Sequence, residues 1–291
     1  MDKSLLFSIF ACVLVSIAVA GNLLIVIAVW KKRFLRSTTN YLLVNVAFSD
    51  LVSLCFLPLM LTQRYVKFNE GVVADMLCKF LISFNIPLTA SFAAICTLVV
   101  LSVERYHAIV KPMKTGFRLR EDTVKYAIGS CWLCAGLATL PLYIYGKYSN
   151  IDQRNLCITN LFDLFPLIYI LHVSFFFVAV PFITISFCYF KIVHEVYFKN
   201  KVGPKNLAAQ QETLNKRKLV KLSLSITITF VICFFPVTIA VILKSIDPRH
   251  ANRSLVKYTS VLYFLESLCN PFLYAYQSTN FRQAFKAILK L

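Results

Sequence analysis

The chain has 291 residues, of which 58% are hydrophobic and only 15% are charged. A soluble protein carries about a quarter charged residues, so this composition excludes an ordinary soluble domain. The net charge of +18 would favour nucleic-acid binding in a soluble protein. Here the basic residues concentrate between apolar runs, which is typical of membrane proteins and disfavours nucleic acid as a partner.

Apolar runs of about 20 residues predict membrane-spanning helices, and seven such runs follow one another along the chain. Their predicted bounds are 5–30, 40–63, 77–108, 124–145, 164–198, 216–243 and 255–277. A basic amphipathic helix is predicted at about 279–290, lying along the inner membrane surface. The prediction is one all-α unit over residues 1–291, a seven-transmembrane helix bundle with a short cytoplasmic eighth helix and membrane lipids around it.

The orientation of the bundle follows from its basic residues. Ala18-Val19-Ala20 resembles a signal-peptide cleavage site, but the apolar run continues to Trp30, which favours an uncleaved first span. Lys and Arg are in excess after the first, third, fifth and seventh spans, and the positive-inside rule assigns those segments to the cytoplasm. We therefore predict a multi-pass plasma-membrane protein with its N-terminus outside and its C-terminus inside.

Polar side chains inside a span are costly in lipid and are expected to face the bundle interior. They include Asn22 in the first span, Asp50 in the second, and Glu266, Ser267 and Asn270 in the seventh. Two carboxyl groups at similar depth would not both ionise comfortably, so one would hold a proton, or a cation such as sodium would sit between them. A purely structural hydrogen-bond cluster is the open alternative.

Two of the ten cysteines differ from the rest. Cys78 and Cys157 fall on the predicted external, oxidising side, whereas the others lie within spans. We expect these two to form a disulfide that ties the second external loop to the third span. Free thiols at both positions are the alternative.

The later spans carry a charged triplet and several prolines. Glu104-Arg105-Tyr106 closes the third span at its inner end, where an Arg beside an acid can be held in a local ion pair. Prolines remove backbone donors and create hinges, although static membrane helices contain them too. The prolines are Pro181 in the fifth span, Pro236 in the sixth and Pro271 in the seventh. Aromatic residues accompany them in the same spans, namely Tyr189, Phe230, Phe234 and Tyr274.

In this order and spacing, these residues resemble the motifs of rhodopsin-like (class A) G-protein-coupled receptors over nearly the whole chain. Gly21 and Trp132 match that family as well. The resemblance implies a bundle that binds an external ligand and opens its cytoplasmic face to a heterotrimeric G protein.

The resemblance also implies roles for single residues. Arg105, held beforehand by Glu104, would contact the G protein, and Tyr189 and Tyr274 would move inward to meet it. Pro236 would be the pivot of the sixth helix. Further implied parts are the hinge residues Pro181, Phe230 and Phe234, the apolar G-protein contact Pro112-Met113, and the sodium-binding hub of Asp50 and Asn270.

Four departures from the family pattern change these expectations. Phe234 stands where Trp is usual, and Glu266 stands where Asn is usual, which makes proton sensing more plausible than ordinary sodium binding. Cys78 lies 27 residues before Arg105, two more than usual, so we expect a bulge or a different start in the outer third helix. Lys216 replaces an acid that clamps Arg105 in some relatives, which predicts raised basal activity.

The ligand is expected to be a peptide, because several stretches most resemble neuropeptide-type members. Asn85 or Pro87 replaces the Asp that binds amines, and Phe264 replaces the retinal-binding Lys, so neither an amine nor retinal is expected. The predicted ligand pocket comprises Asn85, Pro87, Phe234 and Phe264, and no cofactor is expected apart from sodium or a proton. A basic external rim of Arg64, Lys67, Lys244, Arg249, Arg253 and Lys257 could attract an acidic peptide or an anionic lipid.

Other function classes are less favoured. A receptor for a lipid or small anionic ligand, or a receptor-like partner without its own signalling, remains open. A transporter or proton channel using Asp50 and Glu266 would usually show inverted repeats, and none is found. An enzyme is least favoured, since no nucleophile–base pair or metal-ligand spacing appears in a loop.

Overall fold

The computed structural model describes residues 3–62, 69, 71–112, 119–151, 154–159, 166–199, 207–246 and 253–290. Almost all of this part is helical. The α-helices are α1 (Lys3–Lys31), α2 (Thr38–Thr62), α3 (Val72–Leu77), α4 (Asn85–Val110), α5 (Val124–Tyr145), α6 (Pro166–Ser174), α7 (Val180–Val193), α8 (Leu207–Ile246), α9 (Arg253–Gln277) and α10 (Thr279–Leu289). Three π-helical turns, Cys78–Ile82, Phe175–Ala179 and His194–Lys199, complete the third and fifth spans.

Six helical segments of the described chain are long and apolar enough to cross a membrane. They are Cys12–Lys31, Thr38–Leu59, Val72–Val110, Val124–Tyr145, Leu167–Phe198 and Val220–Ile246. The seventh, α9, is as long but more polar, and it packs against α8, α1 and α2. A polar helix is stable at membrane depth only where its neighbours cover its polar face. The predicted seven-helix bundle is confirmed.

The third span is interrupted near its outer end. Helix α3 continues into the π turn Cys78–Ile82. The helix is interrupted at Ser83 and Phe84, and α4 then begins at Asn85. A π turn takes more residues per turn than an α-helix, so it accommodates extra residues without lengthening the span. The extra separation between Cys78 and Arg105 is located in this irregular segment.

The helix of the sixth span begins earlier than the predicted residue 216. Helix α8 starts at Leu207, and its first two turns contain Ala, Gln and Glu. These residues favour a helix but are not apolar, so a prediction based on hydropathy does not detect them. The helix therefore extends beyond the apolar part of the span.

A β-hairpin, which was not predicted, packs against the start of the third span. Strands β1 (Gly146–Ile151) and β2 (Arg154–Thr159) pair antiparallel, with Tyr148 opposite Cys157. The Tyr148 N–H donates to Asp75 Oδ1 at 2.8 Å, which places the hairpin against α3. The predicted disulfide between Cys78 and Cys157 is present and ties the hairpin to the third span.

Candidate functional site

A buried polar cluster, the hub, joins the second and seventh spans. Ser267 Oγ donates to Asp50 Oδ1 at 2.9 Å, and Asn270 Nδ2 donates to Asp50 Oδ2 at 2.8 Å. The same Asn270 amide donates to Glu266 Oε1 at 3.0 Å. Asp50 and Glu266 are both buried, and their carboxyl groups accept from the same Asn270 amide nitrogen. The structure thus brings together four of the five residues that the sequence placed in the hub.

Two buried carboxyl groups that share one amide donor do not both ionise readily, so the pair requires a bound proton or a cation between the two groups. In the described part of the chain neither Asp50 nor Glu266 forms an ion pair with a basic side chain. The other titratable groups near Glu266 are Cys233 of α8 and Cys269, Tyr263 and Tyr274 of α9. The chemistry that remains for the pair is exchange of a proton or uptake of a small cation.

A small cavity adjoins the two carboxyl groups. Its volume is about 10 Å³, which is close to the least that holds one water-sized particle. Ser49 and Ser91 line it, and the Ser49 hydroxyl, 1% exposed, has no hydrogen-bond partner among the described residues. Neither serine is predicted from the sequence, because a serine in a helix carries no signal of which neighbour it faces.

Asn22, the fifth predicted hub residue, contacts the backbone of the seventh span. Its Nδ2 donates to Ser267 O at 2.8 Å and to Ala18 O at 3.0 Å. Beside it, Gly21 lies against the ring of Pro271, with no room for a side chain. The first and seventh spans therefore meet directly next to the hub.

The C-terminal end of the third span holds Arg105 in a defined position. Arg105 Nε donates to Glu104 Oε2 at 2.6 Å, and Arg105 Nη2 donates to the Thr39 hydroxyl of α2. Both Glu104 and Thr39 are buried. Thr39 was missed, since nothing in the sequence pairs the start of the second span with the end of the third. The side chain of Lys216 lies outside the described residues.

The rest of the predicted G-protein face is only partly described. Tyr106 lies beside Phe187 of the fifth span. The Lys111 Nζ lies 5.3 Å from the centre of the Tyr106 ring. Pro112 is exposed, and Met113 lies outside the described residues. At this end Gln277 Nε2 donates to Ser225 Oγ at 2.8 Å, which links the seventh and sixth spans.

Two buried tyrosines have hydroxyl groups without satisfied hydrogen bonds. The Tyr274 hydroxyl has no partner among the described residues, although the side chain is 0% exposed. The Tyr189 hydroxyl faces Ser223 and Thr227 of the sixth span without forming a hydrogen bond of ordinary geometry. A buried unpaired hydroxyl costs about 1–3 kcal/mol, so another arrangement of these helices that satisfied both groups would regain that energy.

Aromatic side chains connect the sixth span to the cavity. The Phe230 and Phe234 rings stack with centroids 5.1 Å apart, and Phe234 is 5.9 Å from Tyr263. Phe230 and Phe234 both line the cavity. Pro236 lies inside α8 just after them, and in the fifth span Pro181 is the second residue of α7, which follows a π turn. The two prolines remove backbone donors at these positions, while Phe230 and Phe234 lie in the continuous helix before Pro236.

The four residues of the predicted ligand pocket do not surround one open cavity in the described structure. Asn85 Nδ2 donates to the backbone oxygens of Lys79 and Leu142, at 3.2 and 3.5 Å. The Pro87 carbonyl accepts from Ser53, Ser91 and Tyr263, at 3.4, 3.0 and 2.8 Å. Phe264 packs edge-on against Phe84 and Tyr263, so of the four only Phe234 lines the hub cavity. Of the basic rim, only the side chain of Lys244 is described, and it is exposed.

Comparison with known proteins gives consistent matches. The sequence pattern of the family 7 transmembrane receptor (rhodopsin family) matches residues 21–274. The chain is 31% identical over 295 residues to the neuromedin-K receptor of Oryctolagus cuniculus, covering 97% of this chain and 60% of that receptor. It is 26% identical over 308 residues to the QRFP-like peptide receptor of Branchiostoma floridae, with coverage of 97% and 77%. It is 25% identical over 293 residues to somatostatin receptor type 5 of Rattus norvegicus, with coverage of 99% and 79%. The chain spans about three fifths of the length of the neuromedin-K receptors it matches.

Proposed function

This chain belongs to the rhodopsin family of seven-transmembrane receptors, and on that premise we propose that it transmits the binding of an extracellular peptide to a heterotrimeric G protein. The receptor would lie in the plasma membrane, with its N-terminus outside the cell and its C-terminus inside. The matched relatives bear the names of peptide receptors, which supports a peptide ligand. The alternative ligand is a lipid or small anion, attracted by the basic external rim.

The observation that carries this proposal is the position of Arg105. Glu104 and Thr39 hold its guanidinium at the inner end of the third span, so it is restrained within the bundle. Release of these two contacts would free a permanent cation for a partner at the cytoplasmic face. Tyr189 and Tyr274, whose hydroxyls lack satisfied bonds, would then approach Arg105, and Pro112-Met113 would supply an apolar contact for the G protein.

We propose that the hub controls this change. The pair of Asp50 and Glu266 would take up either a proton or one sodium ion, in the small cavity lined by Ser49. A bound charge would hold the second and seventh spans together through Ser267 and Asn270. Sliding of α9 past α2 would break those bonds, so occupancy of the hub would favour the resting state.

G-protein activation in cells tests the receptor proposal. Parent, Arg105→Ala and Arg120→Ala are compared across G-protein subtypes, with and without a library of short peptides. Arg120 is a matched control, because its side chain is exposed and, within the described residues, forms an ion pair with the exposed Asp122. We expect a peptide-dependent signal that Arg105→Ala abolishes and Arg120→Ala leaves unchanged. Normal signalling by Arg105→Ala, at equal surface expression, would contradict the proposed coupling.

A further inference from the structure

The turn after the first span and helix α10 form a strongly basic surface, which we call the basic corner. It comprises Lys31, Lys32, Arg33, Arg36, Arg282, Lys286 and Lys290. The two segments that supply it, 28–40 and 275–291, contain no Asp or Glu. They contact each other, since Leu35 is buried in the same apolar cluster as Phe281 and Phe285 of α10. Packing therefore gathers two separate basic segments into one surface.

Two of these seven residues stabilise helix ends. Arg36 Nη2 donates to Trp30 O at 2.7 Å, at the end of α1. Arg282 Nε donates to Ala275 O at 3.0 Å, and its Nη2 donates to Tyr276 O at 2.6 Å, at the end of α9. Unpaired carbonyl groups at a helix C-terminus attract such cations. These two arginines hold the corner in shape.

The other five basic residues are available to a ligand. Lys31, Arg33, Lys286 and Lys290 are exposed and Lys32 is partly exposed. Within the described ranges none of the five forms an ion pair with an acidic side chain. Like charges gathered without a counter-charge repel each other. Binding of an anion to the corner would therefore lower its electrostatic free energy.

Two other basic residues on the same side of the bundle, Arg120 and Arg217, have partners. Arg120 lies 3.5 Å from Asp122. Arg217 stacks over the Tyr197 ring at 5.0 Å and donates to Val196 O at 3.4 Å. Lys218 and Lys221 are exposed on a single helix, whereas the corner joins cations of two contacting segments that hold no acidic residue, so it exceeds the general positive charge expected at a cytoplasmic surface.

Exposed apolar side chains place the corner at the edge of the membrane. Trp30, Phe34 and Leu289 are 72%, 56% and 54% exposed, and each lies within one or two residues of a corner cation in the sequence. Apolar side chains beside cations fit the boundary between acyl chains and headgroups. A ligand of the corner would thus be anchored in the bilayer rather than free in solution.

We propose that the basic corner binds the headgroup of a polyanionic phospholipid of the inner leaflet, of the phosphorylated inositol class. Clustered cations beside a transmembrane helix attract such lipids, with about a fivefold gain in affinity per basic residue. A headgroup with several phosphate charges can contact cations of both segments at once, whereas a singly charged lipid contacts fewer. The bound lipid would fix α10 to the turn after the first span and so restrain the end of the seventh span. This inference rests on the proposed orientation, with α10 at the inner leaflet.

Lipid binding to the purified full chain in nanodiscs tests this site without any G protein. A lipid with a doubly phosphorylated inositol headgroup is compared with phosphatidylserine at equal total negative charge, and the retained lipid is quantified by native mass spectrometry. The variant Lys31→Gln/Arg33→Gln/Lys286→Gln is expected to bind the inositol lipid roughly 100-fold more weakly. The matched control Lys125→Gln/Lys218→Gln/Lys221→Gln removes three exposed cations from other cytoplasmic positions and should bind normally.

Three results would overturn the proposal. These are equal retention of the two lipids, equal losses in the corner variant and the matched control, and binding of soluble inositol phosphate as tight as that of the lipid. The charge-preserving variant Lys31→Arg/Lys286→Arg should retain the lipid, which separates loss of charge from loss of folding. Since no signalling is measured, failure here is distinct from failure of the proposed receptor function.

Discussion

The contact between Gly21 and Pro271 offers a sharp test of how the first and seventh spans pack. A Cβ atom at residue 21 would lie 2.6 Å from Pro271 Cγ and 2.7 Å from Pro271 Cβ. Carbon atoms in contact are normally about 3.5–4.0 Å apart, so Gly21→Ala would force the two helices apart by about 1 Å. The proline ring cannot rotate away, because it is closed onto the backbone.

The magnitude follows from comparison with a glycine that has free space. Overpacking of this kind costs about 1–3 kcal/mol. Replacing Gly by Ala within a helix also gains about 0.5–1 kcal/mol of helix propensity, which partly hides that cost. Gly136→Ala in the fourth span is the matched control, because a Cβ there meets nothing within 4 Å and the gain is the same. The difference between the two variants isolates the clash.

Thermal unfolding in one detergent measures this difference. A thiol-reactive fluorophore reports the exposure of the buried cysteines Cys131, Cys188 and Cys233 as the bundle opens. Each kcal/mol of lost stability lowers the melting temperature of a chain of this size by about 2–4 °C. The melting temperature of Gly21→Ala should therefore lie about 5 °C below that of Gly136→Ala. Equal melting temperatures for the two variants would refute the close contact between the first and seventh spans.

Three further predictions concern the resting state. Thr39→Val removes one of the two contacts of Arg105, and since a bond to a charged group contributes about 1.5 kcal/mol, basal G-protein activation should rise about tenfold. Ser225→Ala removes the bond from Gln277 that joins the sixth and seventh spans, and a loss of about 1 kcal/mol should raise basal activation about fivefold. Glu266→Gln mimics a permanently protonated side chain, so the variant at neutral pH should signal like the acidified parent, with its pH response shifted.

Each of these variants has a control. Thr38→Val changes the neighbouring residue, and Ser130→Ala removes an exposed hydroxyl that bonds only within its own helix at Ala127. Asp122→Asn neutralises an exposed carboxyl outside the hub. Basal activity no higher in Thr39→Val than in Thr38→Val would argue against restraint of Arg105 by the second span. Identical pH curves for Glu266→Gln and the parent would count against a proton at the hub.

The residues of the hub show how far the sequence alone can be taken. Glu266 and Asn270 share a face because residues four apart on a helix do so, and Asp50 had to face inward because a carboxyl group is costly in lipid. That reasoning did not identify Ser49, Ser91 or Tyr263 as neighbours, since which serine or tyrosine turns toward the carboxyl groups depends on the rotation of each helix.

The inner face shows the same division. The triplet Glu104-Arg105-Tyr106 is readable in the sequence, and the Glu104 contact is local. The bonds from Arg105 to Thr39 and from Gln277 to Ser225 join residues 66 and 52 positions apart. Each depends on the depth and rotation of two helices, and no periodicity within either helix specifies them.

The sequence by itself determined the class of this protein, its seven spans and the polar residues that must be shielded from lipid. The physical reason is that the cost of exposing charges and unpaired backbone groups to hydrocarbon is large and local. Tertiary structure decided the contact of Gly21 with Pro271, the partners of Arg105, the hairpin over the third span and the shape of the basic corner. Between apolar helices in lipid, close packing and single hydrogen bonds select the arrangement, and these depend on distances of less than 1 Å that no pattern in the sequence encodes.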